Sequence, residues 1–391
     1  MANAIPDADR FLAGLRALRK IGARGTGVVR PAFSPEDVCA RHWLAERFAD
    51  AGLEARIDPA GNAWGLRGPI LIGSHTDTQL EGGWLDGAFG VMAGLELAHV
   101  SDAVSVVSFQ DEEGRFGATT GSEIWSGALD LNTADAMTAL DGTTFAAART
   151  ALPATEAAPD PRRFTAYLEP HIEQGPVLDT AGEAVGIVTA IVGLRQVTVT
   201  LKGQQNHAGT TPMNRRRDAL AGFAAAERAI RVALTNVAIP ASVWTIGHLD
   251  VHPNAPSAVP GRVRFTVQWR DAEAERLDLM EAAIRDALAG AADRAGLDVE
   301  ISDTAALPPV AMDAGLRAAL CDAAEEVVPG RWREMPSGAL HDATNVARLM
   351  PVGMLFVPSI GGISHDFAED TDEADLAIGL RVLARALAAL S

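Results

Sequence analysis

Residues 69–77 read PILIGSHTD, an apolar run that stops at a histidine and an aspartate. A stretch of this length and composition predicts a short buried strand over Pro69–Gly73, with Ser74-His75-Thr76-Asp77 at its end. The same pattern recurs on the carboxyl-terminal side. Val91–Val100 reads as a helix, and Ala103–Phe109 (AVSVVSF) as a second buried strand ending at Gln110-Asp111-Glu112-Glu113. Much later, Met354-Leu355-Phe356-Val357 reads as another strand, followed by PSIGGISH and so by His365. Helices and strands alternate through residues 1–110, which predicts an α/β layer architecture. Reactive side chains fall repeatedly just beyond a strand, where open α/β sheets place their ligands.

The middle of the chain has a different rhythm. Val197, Val199 and Leu201 alternate with polar residues, as do Val263, Phe265, Val267 and Trp269, and both stretches read as half-buried strands. A helix near 215–232, a strand near 243–248, a helix near 272–294 and a strand at 298–302 complete a β-α-β-β-α-β order. That order predicts a small ferredoxin-like sandwich at 194–304, inserted into a domain made of 1–193 and 305–391. Residues 140–162 are rich in Ala, Thr and Pro and read as an excursion from the main fold.

Composition sets limits on function. A chain of 391 residues with 48% apolar content can build two cores. The formal charge of −18 disfavours duplex DNA and anionic membrane surfaces as partners. Cys39 and Cys321 are the two cysteines, far apart and in no CxxC pair, which argues against a disulfide framework and makes a reducing cytoplasm the expected setting. The amino-terminal MANAIPDADRFLAGLRALRK carries Asp7, Asp9 and Arg10 where a signal peptide needs an apolar stretch. No run approaches the ~18 apolar residues of a membrane span.

Of the nine histidines, His42 and His99 sit in helical stretches and read as ordinary surface or core residues. His75 is different, because Asp77 two residues on can accept a hydrogen bond from its ring. Asp86 follows the glycine pair Gly82-Gly83 in an Asp-Gly step, which alone would read as a plain turn. Glu112-Glu113 alone would read as a solvated pair, but here it directly follows a buried strand, where adjacent side chains point in different directions. His171 in YLEPHIEQG and His365 in GGISHDFAED read as loop histidines, each beside residues able to fix a ring nitrogen. Three histidines and two carboxylates at strand ends fit two borderline divalent cations about 3.5–4 Å apart. HExxH and GxSxG are absent, so a single-zinc protease or a serine hydrolase lacks its signature.

Taken in order, GSHTDTQLEGGWLDGAFGV, FQDEEGRFG, HIEQGPVL, GQQNHAGTTPMNRRRDA, SGALHDA and VPSIGGISH resemble the M20-type metallohydrolases. The branch is that of the N-carbamoyl-L-amino acid hydrolases, allantoate amidohydrolases and β-ureidopropionases; RPAFSPED (30–37) and DPAGN (58–62) resemble it too. The resemblance implies a metallopeptidase-like catalytic domain with a mixed central sheet flanked by helices, and a lid and dimerisation role for 194–304. It implies that Asp86 bridges two cations, with His75 and His171 completing one site and Glu113 and His365 the other. Glu112 would be the general base. His207 would reach the partner subunit's active site and donate to the developing oxyanion, and Gln174 and Arg270 would bind substrate, the arginine through a carboxylate. Asn254, Ser257, Leu340 and His341 would line the pocket. Relative to the branch, Ser257 stands in place of an asparagine, Leu340 in place of a glycine, and Asp366-Phe367 in place of Asn-Pro; a serine lacks the amide's donors, and Leu340 adds bulk beside the substrate.

The reaction so implied is hydrolysis of a linear amide or ureido C–N bond in a small carboxylate-bearing substrate. An N-carbamoyl-L-amino acid comes first, with allantoate and N-acyl amino acids as alternatives. Such a carbonyl is a poor electrophile, and a pair of cations polarises it and acidifies a shared water. Zinc, manganese, cobalt and nickel all suit His/carboxylate donors. A non-catalytic binding homologue would be signalled by loss of Glu112 or a ligand, and all are present.

Overall fold

The structure is a computed structural model describing residues 5–390. The start of the amino-terminal stretch read above, Met1–Ala4, and Ser391 lie outside the described residues. Two compact units are present, one made of the segments up to Thr189 and from Met312 onward, the other of Ala190–Ala311.

The first unit is built on a mixed sheet flanked by helices. Its central strands, Ile70–His75 and Val104–Phe109, are buried at every position, as parallel strands covered on both faces must be. They pair in parallel, and Ile70–His75 also pairs in parallel with Ala166–Ile172, which in turn pairs in parallel with Val352–Val357. The antiparallel hairpin of Glu54–Ile57 and Ala63–Leu66 extends the sheet beyond Val104–Phe109. On the other side Val185–Ile191 pairs antiparallel with Val352–Val357, and Trp332–Ser337 pairs with Val185–Ile191.

Helices Ala8–Arg19, Pro35–Asp50, Ala88–Val100, Ala314–Val327 and Glu373–Leu390 contribute to one continuous core through Phe11, Leu44, Phe48, Val91, Leu97, Leu320 and Leu383. Ala88–Val100 is apolar nearly all round and buried along almost its whole length, the expected state of such a helix. It starts three residues before the position read from sequence. The reason is Gly87, which enters the helix at φ 63° with no side-chain cap, so the usual Ser/Thr/Asp start signal is missing.

One expectation is corrected here. His171 does not sit in a loop; it is part of the buried strand Ala166–Ile172. Glu169 and Pro170 interrupt the apolar run and conceal that strand. Pro170 is tolerated opposite Leu355, and Glu169 is buried because it accepts hydrogen bonds from Ser74 Oγ (2.7 Å) and the Ala343 N–H (2.7 Å).

The second unit has a four-stranded antiparallel sheet in the spatial order Val243–His252, Arg262–Asp271, Gly193–Lys202, Asp298–Leu307. Helices Ala219–Thr235 and Ala274–Ala295 bury Ile230, Leu234, Ile284 and Leu288 with the inward-facing Val197, Val199, Val263, Phe265 and Trp269. Along Arg262–Asp271 burial alternates residue by residue, so one face of the sheet carries the helices. Among the described residues no helix is long and apolar enough to cross a membrane.

Candidate metal centre

Parallel strands that run side by side deliver their carboxyl ends to one edge, and the candidate residues collect there. His75 is the last residue of its strand and His171 the penultimate residue of the neighbouring one. Asp86 stands immediately before Gly87 and the buried helix. A Cβ on Gly87 would lie 2.4 Å from the His75 ring, and its φ of 63° is left-handed, so glycine alone lets the chain pass this close to the histidine. Glu112 and Glu113 follow Phe109 after Asp111, itself left-handed at φ 56°. The Asp111 carboxylate accepts the Arg115 N–H (2.8 Å) and the Thr120 hydroxyl (2.6 Å) and so closes the turn that presents the glutamates.

The two oxygens of Asp86 face different partners. Oδ1 lies 3.1 Å from His171 Nε2 and 3.7 Å from His75 Nε2. Oδ2 lies 3.2 Å from His365 Nε2, which is 3.3 Å from Glu113 Oε2. His75, Asp86 and His171 thus offer ligand atoms within 4.8 Å of one another, and so do Asp86, Glu113 and His365. A cation with ligand bonds of about 2.0–2.1 Å in tetrahedral geometry holds neighbouring ligand atoms about 3.3–3.4 Å apart, and the four separations given above run from 3.1 to 3.7 Å around that value.

The ring tautomers are fixed from behind. His75 Nδ1 bonds the Asp77 carbonyl at 3.0 Å, and His171 Nδ1 bonds the Ile172 carbonyl at 2.9 Å. A carbonyl only accepts, so both Nδ1 atoms carry hydrogen, and Nε2 is the nitrogen that each ring turns toward Asp86. A ring nitrogen sits this close to a carboxylate only with positive charge, a proton or a cation, between them. The protonation equilibria carry the same message. Burial disfavours charge on Asp86, yet hydrogen bonds to His171 and His365 hold it well below the usual carboxylate range. The hydrogen bond to Asp86 and the nearby Glu113 push His365 up to about 9. Burial, then the neighbouring Asp86, pushes Glu113 well up. The donor set therefore fits divalent cations.

Asp77 accepts the His75 ring proton through its main chain. Its carboxylate does not take the His75 ring proton, since Oδ1 is 3.7 Å from Nδ1; the backbone carbonyl of the same residue does. The carboxylate instead accepts the N–H groups of Glu112 (3.4 Å) and Glu113 (3.2 Å). Asp77 therefore steers both the histidine and the glutamate pair, the first with its main chain and the second with its side chain.

Glu112 Oε2 lies 3.7 Å from His75 Nε2, and burial, followed by the Asp342, Glu113 and Asp86 carboxylates, pushes it well above its ordinary value. Gln174, left-handed at φ 57°, donates from Nε2 to both Asp86 oxygens (3.2 and 3.1 Å). His341 is buried against the His171 ring at a centroid distance of 4.5 Å, with Nε2 2.9 Å from Ser337 Oγ; Leu340 beside it is half-buried. Sequence reasoning passed over Gln79, whose Nε2 donates to Glu113 Oε2 at 2.9 Å, and Glu369, buried beneath Asp86. The only sequence signal for Gln79 is its place two residues past Asp77.

His207, Asn254, Ser257 and Arg270 belong to the second unit. There His207 pairs with Ala258, and the Ala208 N–H donates to the Ser257 carbonyl (2.9 Å). His207 is exposed, and its Nδ1 accepts the N–H of Gly209 (3.0 Å) and Thr210 (3.3 Å). Nδ1 is therefore a lone pair, and the neutral ring carries its hydrogen on Nε2. Asn254 is left-handed at φ 57°. Arg270 is half-buried, with Nε and one terminal nitrogen each 3.3 Å from Gln268 Oε1.

Residues 71–389 match peptidase family M20/M25/M40. The chain is 34% identical to an N-carbamoyl-L-amino-acid amidohydrolase of Paenarthrobacter aurescens, over 98% of each chain. It is 36% identical to an allantoate amidohydrolase of Escherichia coli, over 92% of each. The crystal structure of an amidase of the hydantoinase/carbamoylase family from Burkholderia phymatum superimposes with a TM-score of 0.92 at 41% identity, covering 99% of this chain and 98% of that one.

Proposed function

Starting from the fact that the chain belongs to peptidase family M20/M25/M40, we propose that it hydrolyses a linear amide or ureido C–N bond in a small carboxylate-bearing substrate, with an N-carbamoyl-L-amino acid the favoured one. The observation that carries this reading is Asp86, each of whose oxygens faces its own set of imidazole and carboxylate donors. His75, Asp86 and His171 would hold one divalent cation, and Asp86, Glu113 and His365 a second, with zinc, manganese, cobalt and nickel all suited to the donors. Bound there, the cations supply Lewis acidity to the substrate carbonyl and lower the pKa of water.

The chain's own residues do the rest. Glu112, half-buried with its side chain only 10% exposed and its proton affinity raised, takes a proton from the attacking water and returns it to the departing nitrogen. Gln174 keeps Asp86 oriented by donating to both its oxygens. Arg270 binds the substrate carboxylate with its planar fork, and Asn254, Ser257, Leu340 and His341 shape the pocket. His207 donates from Nε2–H to the oxyanion, a role supported by the two N–H groups that occupy its Nδ1.

In this reading residues 194–304 form the lid and the dimer contact, and His207 serves the partner subunit's site. The open edge of the strand Val243–His252, with Val243 and Leu249 exposed, supports pairing through this unit. The cytoplasm is the proposed setting. Allantoate is the second substrate reading, favoured by the 36% identity to the Escherichia coli protein.

A substrate panel tests the proposal. N-carbamoyl, N-formyl and N-acetyl amino acids and allantoate are incubated with the protein, and ammonia and free amine are both quantified. Ammonia with free amino acid from carbamoyl substrates alone is the expected result. Ammonia from allantoate alone selects the second reading, and amine release from acyl substrates without ammonia contradicts both.

A further inference from the structure

The segment after His365 carries a carboxylate outside the ligand set. Glu369 is buried, and its Oε1 accepts the N–H groups of Leu85 (3.2 Å) and Asp86 (3.1 Å). Its Oε2 accepts the Ser364 hydroxyl at 2.8 Å. The first two donors belong to the loop that presents Asp86, and the third belongs to the residue before His365. One side chain thus spans both loops. Gly83 makes room for it, because a Cβ there would lie 1.8 Å from Glu369 Oε1 and 1.9 Å from its Cδ. Beside it, the Trp84 ring N–H donates to Asp370 (3.2 Å), a second tie between the same two segments.

The two candidate cation sites differ in how their ligands are anchored. His75 and His171 are fixed by the sheet, as residues of paired strands. His365 has no such support: it lies in a loop at φ 55° with its side chain 46% exposed. We infer that Glu369 is the positioning residue that holds His365 in register with Asp86, and so governs the site they share with Glu113. This rests on the two-cation reading above. Glu369 touches neither cation nor substrate; it acts through the main chain of Asp86 and the hydroxyl of Ser364.

The test is cobalt(II) titration of the metal-stripped protein, read by visible absorption and by metal content after equilibrium dialysis, alongside thermal unfolding. Wild-type protein is expected to take up two equivalents. Glu369→Ala should weaken the site of Glu113 and His365 by about tenfold or more, the scale of losing an outer-shell partner, and the site of His75 and His171, which shares Asp86, by clearly less. Glu369→Gln should recover part of that loss, since the amide oxygen still accepts both N–H groups and its NH2 can donate to Ser364. Ser364→Ala, which removes only the tether to His365, should weaken the site of Glu113 and His365, and it carries the test if Glu369→Ala does not fold. Two sites within twofold of wild type in Glu369→Ala, or equal losses at both, would overturn the inference alone. Fewer than two equivalents in the wild type would sink the two-cation reading and this inference with it.

Discussion

At the scale of single residues, the centre depends on a few side chains whose second contact matters as much as their first. Each oxygen of Asp86 faces its own group of donors, and Gln174 donates to both. Asp77 uses its carbonyl on His75 and its carboxylate on the Glu112 and Glu113 N–H groups. Glu112 stands apart from the ligand groups yet is half-buried beside them, which suits a proton carrier better than a ligand. Replacing Glu112 with Gln should therefore leave cation content unchanged and lower kcat by about 10²–10⁴-fold, the range of general acid–base catalysis. Metal analysis and steady-state kinetics on one preparation check this, and undiminished turnover would exclude Glu112 as the proton carrier.

Strands that are mostly apolar, Ile70–His75, Val104–Phe109 and Val352–Val357, are legible from sequence with the reactive residues at or beyond their ends. Ala166–Ile172 is not, because Glu169 and Pro170 break its pattern and their compensation lies in Ser74 and Ala343, remote in sequence. The partnership of Glu369 with Leu85 is equally hidden, since 284 positions separate them. Patterns of period two or 3.6 report local burial, and they carry no information on which distant loops a side chain will join.

Asp58 shows how an element outside the centre shapes it. Its buried carboxylate accepts the Trp64 ring N–H and the Asn62 amide, both at 2.9 Å, and Asn62 Oδ1 in turn accepts the Gln110 N–H at 2.8 Å, two residues before Glu112. Its other oxygen accepts the main-chain N–H groups of Ala60 (2.9 Å) and Asn62 (3.0 Å), so Asp58→Ala removes the acceptor of four buried hydrogen bonds and should cost about 3 kcal/mol or more. Urea unfolding should show a lower midpoint at an unchanged slope; a midpoint equal to that of wild type would contradict the account of this turn.

At the scale of the whole molecule, the two units divide the proposed work between cation binding and substrate contact. The first holds the complete set of candidate ligands, and the second holds His207 and Arg270. If His207 serves the partner's site, Glu112→Gln and His207→Ala proteins should each be nearly inactive alone and regain activity when unfolded and refolded together. Mixed dimers then contain one site with both residues intact. Absence of any recovery, with mixed dimers demonstrated, would place His207 in its own subunit's reaction or outside it.

The central claim is that five residues hold a pair of cations on which hydrolysis depends. Its most direct measurement is ammonia release from an N-carbamoyl-L-amino acid and from allantoate, by protein stripped with chelator and then titrated with manganese, cobalt, nickel or zinc. The account predicts no turnover in the stripped protein and recovery that reaches its plateau at two equivalents per chain. Full turnover by protein shown to be metal-free would contradict it.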